Sequence, residues 1–319
     1  MSRCQQVVIA LFGLGIWCCS VLLQAGSTVW PGKVGVSVSS LENPYFVALV
    51  QGVQQKAKQL NPAVKISVTS SDYSVGKQVT QLHGMINAQV DVILLVASEE
   101  HALKPVIEKA RKQGIIVIGV DVRAEGANQT VLTDNRLAGE LVCDYLAKAI
   151  KGRGRALIQN GPQVSSVIDR VAGCKAAWAR YPAIELLSDR ESGDASVWGG
   201  HAAMQSAIKN YGAVDAVFAI NDRQALGVQK ALQKEGMQNT RIGSVDGSQI
   251  VVKAIGMGSQ IVATASQAPK SMGERAIEAG LALHAGGKSE PELILLTPTL
   301  VSKENAAIFK AWDAGLIGQ

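Results

Sequence analysis

Val90-Asp91-Val92-Ile93-Leu94-Leu95 and Val214-Asp215-Ala216-Val217-Phe218-Ala219 carry one pattern at two places in the chain. Each ends in a short apolar run without polar alternation. A strand buried on both sides of a parallel sheet reads this way. Each leads to a helix-patterned segment that stops at a glycine, Gly114 or Gly236, and then to a second apolar run that stops at an aspartate, Asp121 or Asp246. The copies are offset by about 124 residues, which points to an internal duplication.

Outward from these runs, strand and helix patterns alternate. Towards the N-terminus, 33–39 is β-branched, 44–60 has helical spacing, 64–69 reads as a strand and 75–88 as a helix. After the first run, 102–113 predicts helix and 115–120 strand. The pattern then restarts: helix 137–150, strand 155–159, helix 171–180, strand 184–187, helix 197–210. Strand 216–220, helix 225–235 and strand 241–245 complete the second copy. Apolar strands between amphipathic helices predict an α/β fold of two similar doubly wound parallel-sheet lobes. A chain of 319 residues is long enough for two cores.

Hydrophobic residues make up 47% of the chain but aromatics only 4%, so each ring is informative. The net charge of +5 is modest and its bases are scattered among acids, which excludes a nucleic-acid tract. In the first 25 residues Arg3 is the one charge, an apolar run spans 7–23, and Gln24-Ala25-Gly26-Ser27 follows. That is the layout of a secretory signal cleaved near Ala25, in preference to a retained anchor. A lipoprotein signal is disfavoured because Trp17 precedes Cys18 where a small residue belongs. Cys143 and Cys174 remain in the mature chain, where one disulfide and two buried thiols are equal expectations.

Ligands of doubly wound sheets sit beyond the carboxyl ends of the strands. Polar residues gather there: Ser39, Ser40, Glu42 and Asn43 after the first strand, then Asp121, Asn221-Asp222 and Asp246. The chemistry of an enzyme is missing. His83, His101, His201 and His284 lie far apart, without metal-ligand spacing. There is no nucleophile elbow and no phosphate loop. Gly256-Met257-Gly258 lacks the third glycine of a dinucleotide fingerprint. Asp121 and Asp246 could act as an acid–base pair or cap the following turns, but accepting hydrogen bonds from hydroxyls is the simpler role. No cofactor or metal is expected.

Val38-Ser39-Ser40-Leu41-Glu42-Asn43-Pro44-Tyr45-Phe46 resembles the first ligand loop of ribose-binding-type periplasmic proteins, the solute receptors of ATP-driven (ABC) importers. The resemblance runs through the mature chain, at Val120-Asp121, Asp134-Asn135, Asp169-Arg170 with Gly173, 217–222, Val245-Asp246-Gly247 and Ala265-Ser266-Gln267. It implies two lobes joined by a three-segment hinge: 26–134 plus 268–296, and 135–267 plus 297–319, after a signal at 1–25. It also implies a periplasmic monomer that binds a small sugar or polyol and docks on a membrane permease. The matching ligand positions are Asn43, Tyr45, Phe46, Asp121, Arg170, Asn221, Asp246 and Gln267.

Residue chemistry suits that set. Pro44 fits a first helical position with Asn43 as cap or ligand donor. Tyr45 and Phe46 offer faces to sugar C–H groups, and Arg170 offers fixed donors, unless it pairs with Asp169 at the surface. Two departures weaken a ribose assignment: Val122 stands where ribose binders carry arginine, and Ala195 where they carry a ring. Trp198, three residues on, is expected either to lean into the vacated space or to pack between helices. Arg123 would point away from the site in an extended chain. The competing readings are a sugar-sensing receptor for a chemotaxis or sensor-kinase partner, and an α/β enzyme acting on sugars. A sugar-responsive regulator would need a DNA-binding head where the signal stands.

Overall fold

The computed structural model describes residues 32–288 and 291–314, so the predicted signal lies outside the described residues. Along the chain, β1 (Lys33–Val38), α1 (Pro44–Leu60), β2 (Lys65–Ser70), α2 (Val75–Asn87), β3 (Val92–Leu95), α3 (Lys104–Lys112), β4 (Ile116–Val120) and β5 (Gln129–Thr133) come first. Then follow α4 (Asn135–Ala149), β6 (Arg153–Asn160), α5 (Ser165–Trp178), β7 (Ala183–Ser192), α6 (Val197–Tyr211), β8 (Ala216–Ala219), α7 (Asp222–Lys234), β9 (Arg241–Asp246), α8 (Gln249–Gly256) and β10 (Ile261–Ser266). The last elements are α9 (Pro269–His284), β11 (Leu293–Leu296) and β12 (Thr299–Ser302).

Among the described residues the strands form two six-stranded sheets with matching orders, β11-β5-β4-β3-β1-β2 and β12-β10-β9-β8-β6-β7. The duplicated runs are β3 and β8, each completely buried at the middle of its sheet. Pairing is parallel except for β12 on β10. Among the described residues the chain passes between the sheets three times, after β5, after β10 and between β11 and β12. Apolar spacing marks neither β5 nor the elements after β9, and it starts α5 at 171. The true first turn opens on Ser165-Ser166, whose polar side chains carry no helical period.

In the second lobe, alternate strand residues serve opposite faces of the sheet. Leu157, Val217 and Ile242 pack with Met204, Val228 and Leu232, whereas Ile158, Phe218 and Val245 pack with Val142, Leu146 and Trp178. Helices α4 and α5 lie unusually close. A Cβ at Gly139 would fall 2.0 Å from the Arg170 carbonyl oxygen, and one at Gly173 2.0 Å from that of Arg136. Cys143 and Cys174 join the same pair of helices through a disulfide with a Cα–Cα distance of 5.0 Å. This decides between the two cysteine expectations. Among the described residues no helix is long and apolar enough to cross a membrane.

Candidate functional site

The ends of β1, β2, β3 and β4 on one side, and of β6, β7, β8 and β9 on the other, line a single cavity of about 70 Å³. It lies where doubly wound sheets hold ligands, and each lobe contributes a wall. Arg123 and α5 bridge the lobes beside it. The Arg123 amide donates to Ser165 Oγ at 2.7 Å, and its guanidinium pairs with Asp169 at 2.7 Å and with Glu100 at 3.2 Å. Arg123 therefore works outside the cavity, and it takes the partner that could have held Arg170 at the surface.

Asn43, Tyr45, Phe46, Asp121, Arg170, Asn221, Asp246 and Gln267 all line this cavity. Asn43 caps α1, its side chain accepting from the Tyr45 amide at 3.1 Å, and Asn221 caps α7 through the Gln224 amide at 2.9 Å. Both residues keep amide groups at the site while satisfying orphan helix N–H groups. Neither Asp121 nor Asp246 caps a helix, since the caps of the neighbouring α4 and α8 are Asp134 and Ser248. Asp121 sits at φ +68°, a left-handed turn that ends β4.

Tyr45 and Gln267 stand between the two aspartates, each donating to one of them. The Tyr45 hydroxyl lies 2.7 Å from Asp121 Oδ1 and 3.1 Å from Gln267 Oε1; its single proton goes to the carboxylate. Gln267 Nε2 donates to Asp246 Oδ1 at 2.8 Å, and Thr133 Oγ1 donates to Gln267 Oε1 at 2.9 Å. Arg170 is buried; its Nε donates to Asn135 Oδ1 at 2.8 Å and its Nη1 to the Ile220 carbonyl at 2.9 Å. Two of its five N–H donors are thus committed to holding the fork in place.

Burial raises the pKa of Asp121, against the pull of Arg170 and the Tyr45 hydrogen bond. Asp246 is pushed up to about 7, first by burial and then by the charge of Asp222, with Arg170 and the Gln267 amide opposing. Burial and then the Asp121 charge lift the Tyr45 hydroxyl well above its ordinary value. The cavity is therefore a buried, acceptor-rich site with one guanidinium, suited to a neutral ligand that donates several hydroxyl protons.

Trp198 belongs elsewhere. It is 80% exposed and stacks on His201, with ring centroids 6.3 Å apart, so it is neither in the cavity wall nor between helices. The N-terminus of α6 points it outward because Gly200, two residues on, takes the face that meets α7. Val122 and Ala195 do line the cavity, so both departures from the ribose pattern fall on its wall.

Beside Ser39 of the first ligand loop, other residues at the site carry no sequence motif. Tyr73, Ala97, Pro162 and Val164 are such residues, and they line the cavity. The rule of strand ends could have found Tyr73, which follows β2. Asp222 lies just behind the wall, accepting from Ser244 Oγ at 2.6 Å, Thr264 Oγ1 at 2.8 Å, and the amide and hydroxyl of Ser248 at 2.7 Å each. It ties β9 and β10 to the start of α8, while Asn221 beside it faces the cavity.

Comparison with known proteins agrees with this geometry. A family model described as periplasmic binding protein domain matches residues 34–289. The ribose import binding protein of Bacillus subtilis is 28% identical over 249 residues, covering 77% of this chain and 79% of its own. The xylitol-binding protein of Mycolicibacterium smegmatis is 28% identical over 259 residues, 78% of this chain and 71% of its own. Among solved structures, an ABC transporter periplasmic solute binding protein from Actinobacillus succinogenes with bound D-allose superposes with a TM-score of 0.80 at 26% identity, covering 87% of this chain and 99% of its own.

Proposed function

The chain belongs to the periplasmic binding protein domain family, and on that premise we propose that it is the solute receptor of an ABC importer, holding one small sugar or polyol in the cavity between its lobes. One observation carries this reading. Asp121, Arg170, Asn221, Asp246 and Gln267 converge from separate strand ends on one cavity, beside the rings of Tyr45 and Phe46. Sugar hydroxyls both donate and accept, which matches carboxylates, amides and a guanidinium together. The rings offer flat apolar faces to C–H groups. Asp121 and Asp246 act as acceptors here, with no catalytic task, and their nearest protein partners are the Tyr45 hydroxyl and the Gln267 amide.

The bodies that move are 26–134 plus 268–296 and 135–267 plus 297–319, and a ligand touching both walls favours their closed arrangement. Export through the signal at 1–25 to the periplasm agrees with the Cys143–Cys174 disulfide, which an oxidising compartment maintains. Docking on a permease follows from the same reading. Val122 and Ala195 remove a donor and a ring from the wall, so ribose binds weakly relative to another four- to six-carbon sugar or polyol.

A thermal-shift screen of residues 26–319 against D-ribose, D-allose and xylitol tests the reading, because a specific ligand raises the midpoint by mass action. At least one compound other than ribose raises it, and Arg170→Ala loses about 2–4 kcal/mol of that binding in calorimetry. A wild-type midpoint indifferent to every sugar and polyol would sink the reading.

A further inference from the structure

Every ring on the cavity wall, Tyr45, Phe46 and Tyr73, comes from the first lobe. Tyr45 and Phe46 are core residues as well: both are buried, they meet edge to face at 5.4 Å, and Tyr45 also packs on Trp312 at 5.8 Å. Tyr73 differs in each respect. It is half-exposed, takes no part in the first lobe's buried core, and stacks on no other ring among the described residues.

Its backbone is also costly. Asp72 and Tyr73 adopt φ +52° and +59° in succession, where a residue with a Cβ is strained and glycine is not. The loop is built to hold them there. Ser70 Oγ donates to Asp72 Oδ1 at 2.6 Å and Lys77 Nζ to Asp72 Oδ2 at 2.5 Å. The Tyr73 amide donates to the Ser39 carbonyl at 3.0 Å, which ties the turn to the ligand loop after β1. Burial and then the Asp121 charge raise the pKa of the Tyr73 hydroxyl, with an Asn43 hydrogen bond and Arg223 of α7 opposing, and Tyr73 shares the cavity wall with residues of both lobes. Strain of this kind persists where the surroundings enforce it, and it clusters at ligand clamps.

We propose that Tyr73 is a ligand-contacting residue that sets selectivity: its ring closes over the occupant of the cavity, supplying from the first lobe an aromatic face that Ala195 does not supply from the second. This rests on the receptor reading above. The ring covers a C–H face of the ligand at the cavity wall and slows its escape. The protein keeps a strained turn in order to present it.

The test uses residues 26–319 as wild type, Tyr73→Gly, Tyr73→Phe and Arg170→Ala, with D-ribose, D-allose and xylitol as probes. Glycine relieves the backbone, so Tyr73→Gly melts at or above the wild-type temperature without ligand. It nevertheless binds the best probe at least tenfold more weakly, mainly through faster dissociation, while Tyr73→Phe stays within threefold of wild type. A core ring would behave oppositely: Tyr73→Gly would melt lower, and that result overturns the proposal. Wild-type affinity and off-rate in Tyr73→Gly, alongside lost binding in Arg170→Ala, overturns it too and leaves the receptor reading standing. If no probe binds the wild type, the receptor reading fails, and a lower ligand-free melting temperature in Tyr73→Gly still decides against Tyr73.

Discussion

The two lobes repeat one strand order and one placement of the terminal aspartate, yet they bring different chemistry to the cavity. The first lobe supplies the rings and Asp121, whose nearest donor is the Tyr45 hydroxyl. The second supplies Arg170, Asn221 and Asp246, and behind Asp246 stands a second buried acid, Asp222. Helix crossings show the same divergence. In the first lobe α1 meets α9 where a Cβ at Gly52 would fall 2.1 Å from the Lys270 carbonyl oxygen. In the second, α4 meets α5 equally closely but a disulfide joins them as well. A duplicated fold fixes where groups can stand; the identity of those groups is free to diverge, because each strand end is a loop outside the core.

The disulfide gives the largest test of that asymmetry. Cys143→Ala with Cys174→Ala should cost the protein about 2–4 kcal/mol in urea unfolding, through a freer unfolded chain and a lost buried contact. Hydrogen exchange should quicken in α4 and α5 and stay unchanged in α1 and α9. Equal loosening of both lobes would mean that the staple serves the whole molecule.

A smaller effect separates the paired aspartates. Asp246 has a folded pKa of about 7, raised by burial and by Asp222, against the ordinary carboxylate value in the unfolded chain. Between these values the folded state holds a proton that the unfolded state releases, so stability falls as pH rises from about 4 to 7. Above that window the full cost of the buried charge is present. Asp246→Asn should therefore melt higher than wild type at pH 8, with the gap closing below pH 5. Asp121→Asn should move less, since Asp121 has the Tyr45 proton and no acid at its back. Equal shifts from the two variants would show that the lobes do not differ electrostatically.

Trp198 sharpens the comparison at its lower limit. As a ring 80% exposed on the second lobe, its replacement by alanine should change stability by no more than about 0.5 kcal/mol and leave ligand affinity alone. A tenfold loss of affinity would give the second lobe a ring of its own on the ligand and remove the asymmetry of the walls.

Much of this was legible in the chain. The runs 90–95 and 214–219 announce the two central strands because a strand buried on both faces must be apolar throughout, and that is a local property. Asn43, Asn221, Asp121 and Asp246 stand at strand ends, so the fold rule and the family resemblance together picked them out. Other features have no local signature. The strand-end rule reaches Tyr73 only as one ring in a polar loop; the two positive φ values and the bond to Ser39, 34 positions earlier, are not written in it. Asn135 fixes Arg170 across a helix pair, and nothing in either residue's neighbourhood says so. Spacing left the pairing of Cys143 with Cys174 open; the approach of α4 to α5 settled it.

By itself, then, the sequence determined the element types, the duplication and the sites where polar groups would collect, since burial period and strand termini are written in neighbouring residues. Only the tertiary structure decided which of those groups share one cavity. That depends on three crossings between the sheets, which bring α9 onto α1 and Gln267 between Tyr45 and Asp246. It also depends on burial, which raises the pKa of two aspartates that look ordinary in the chain.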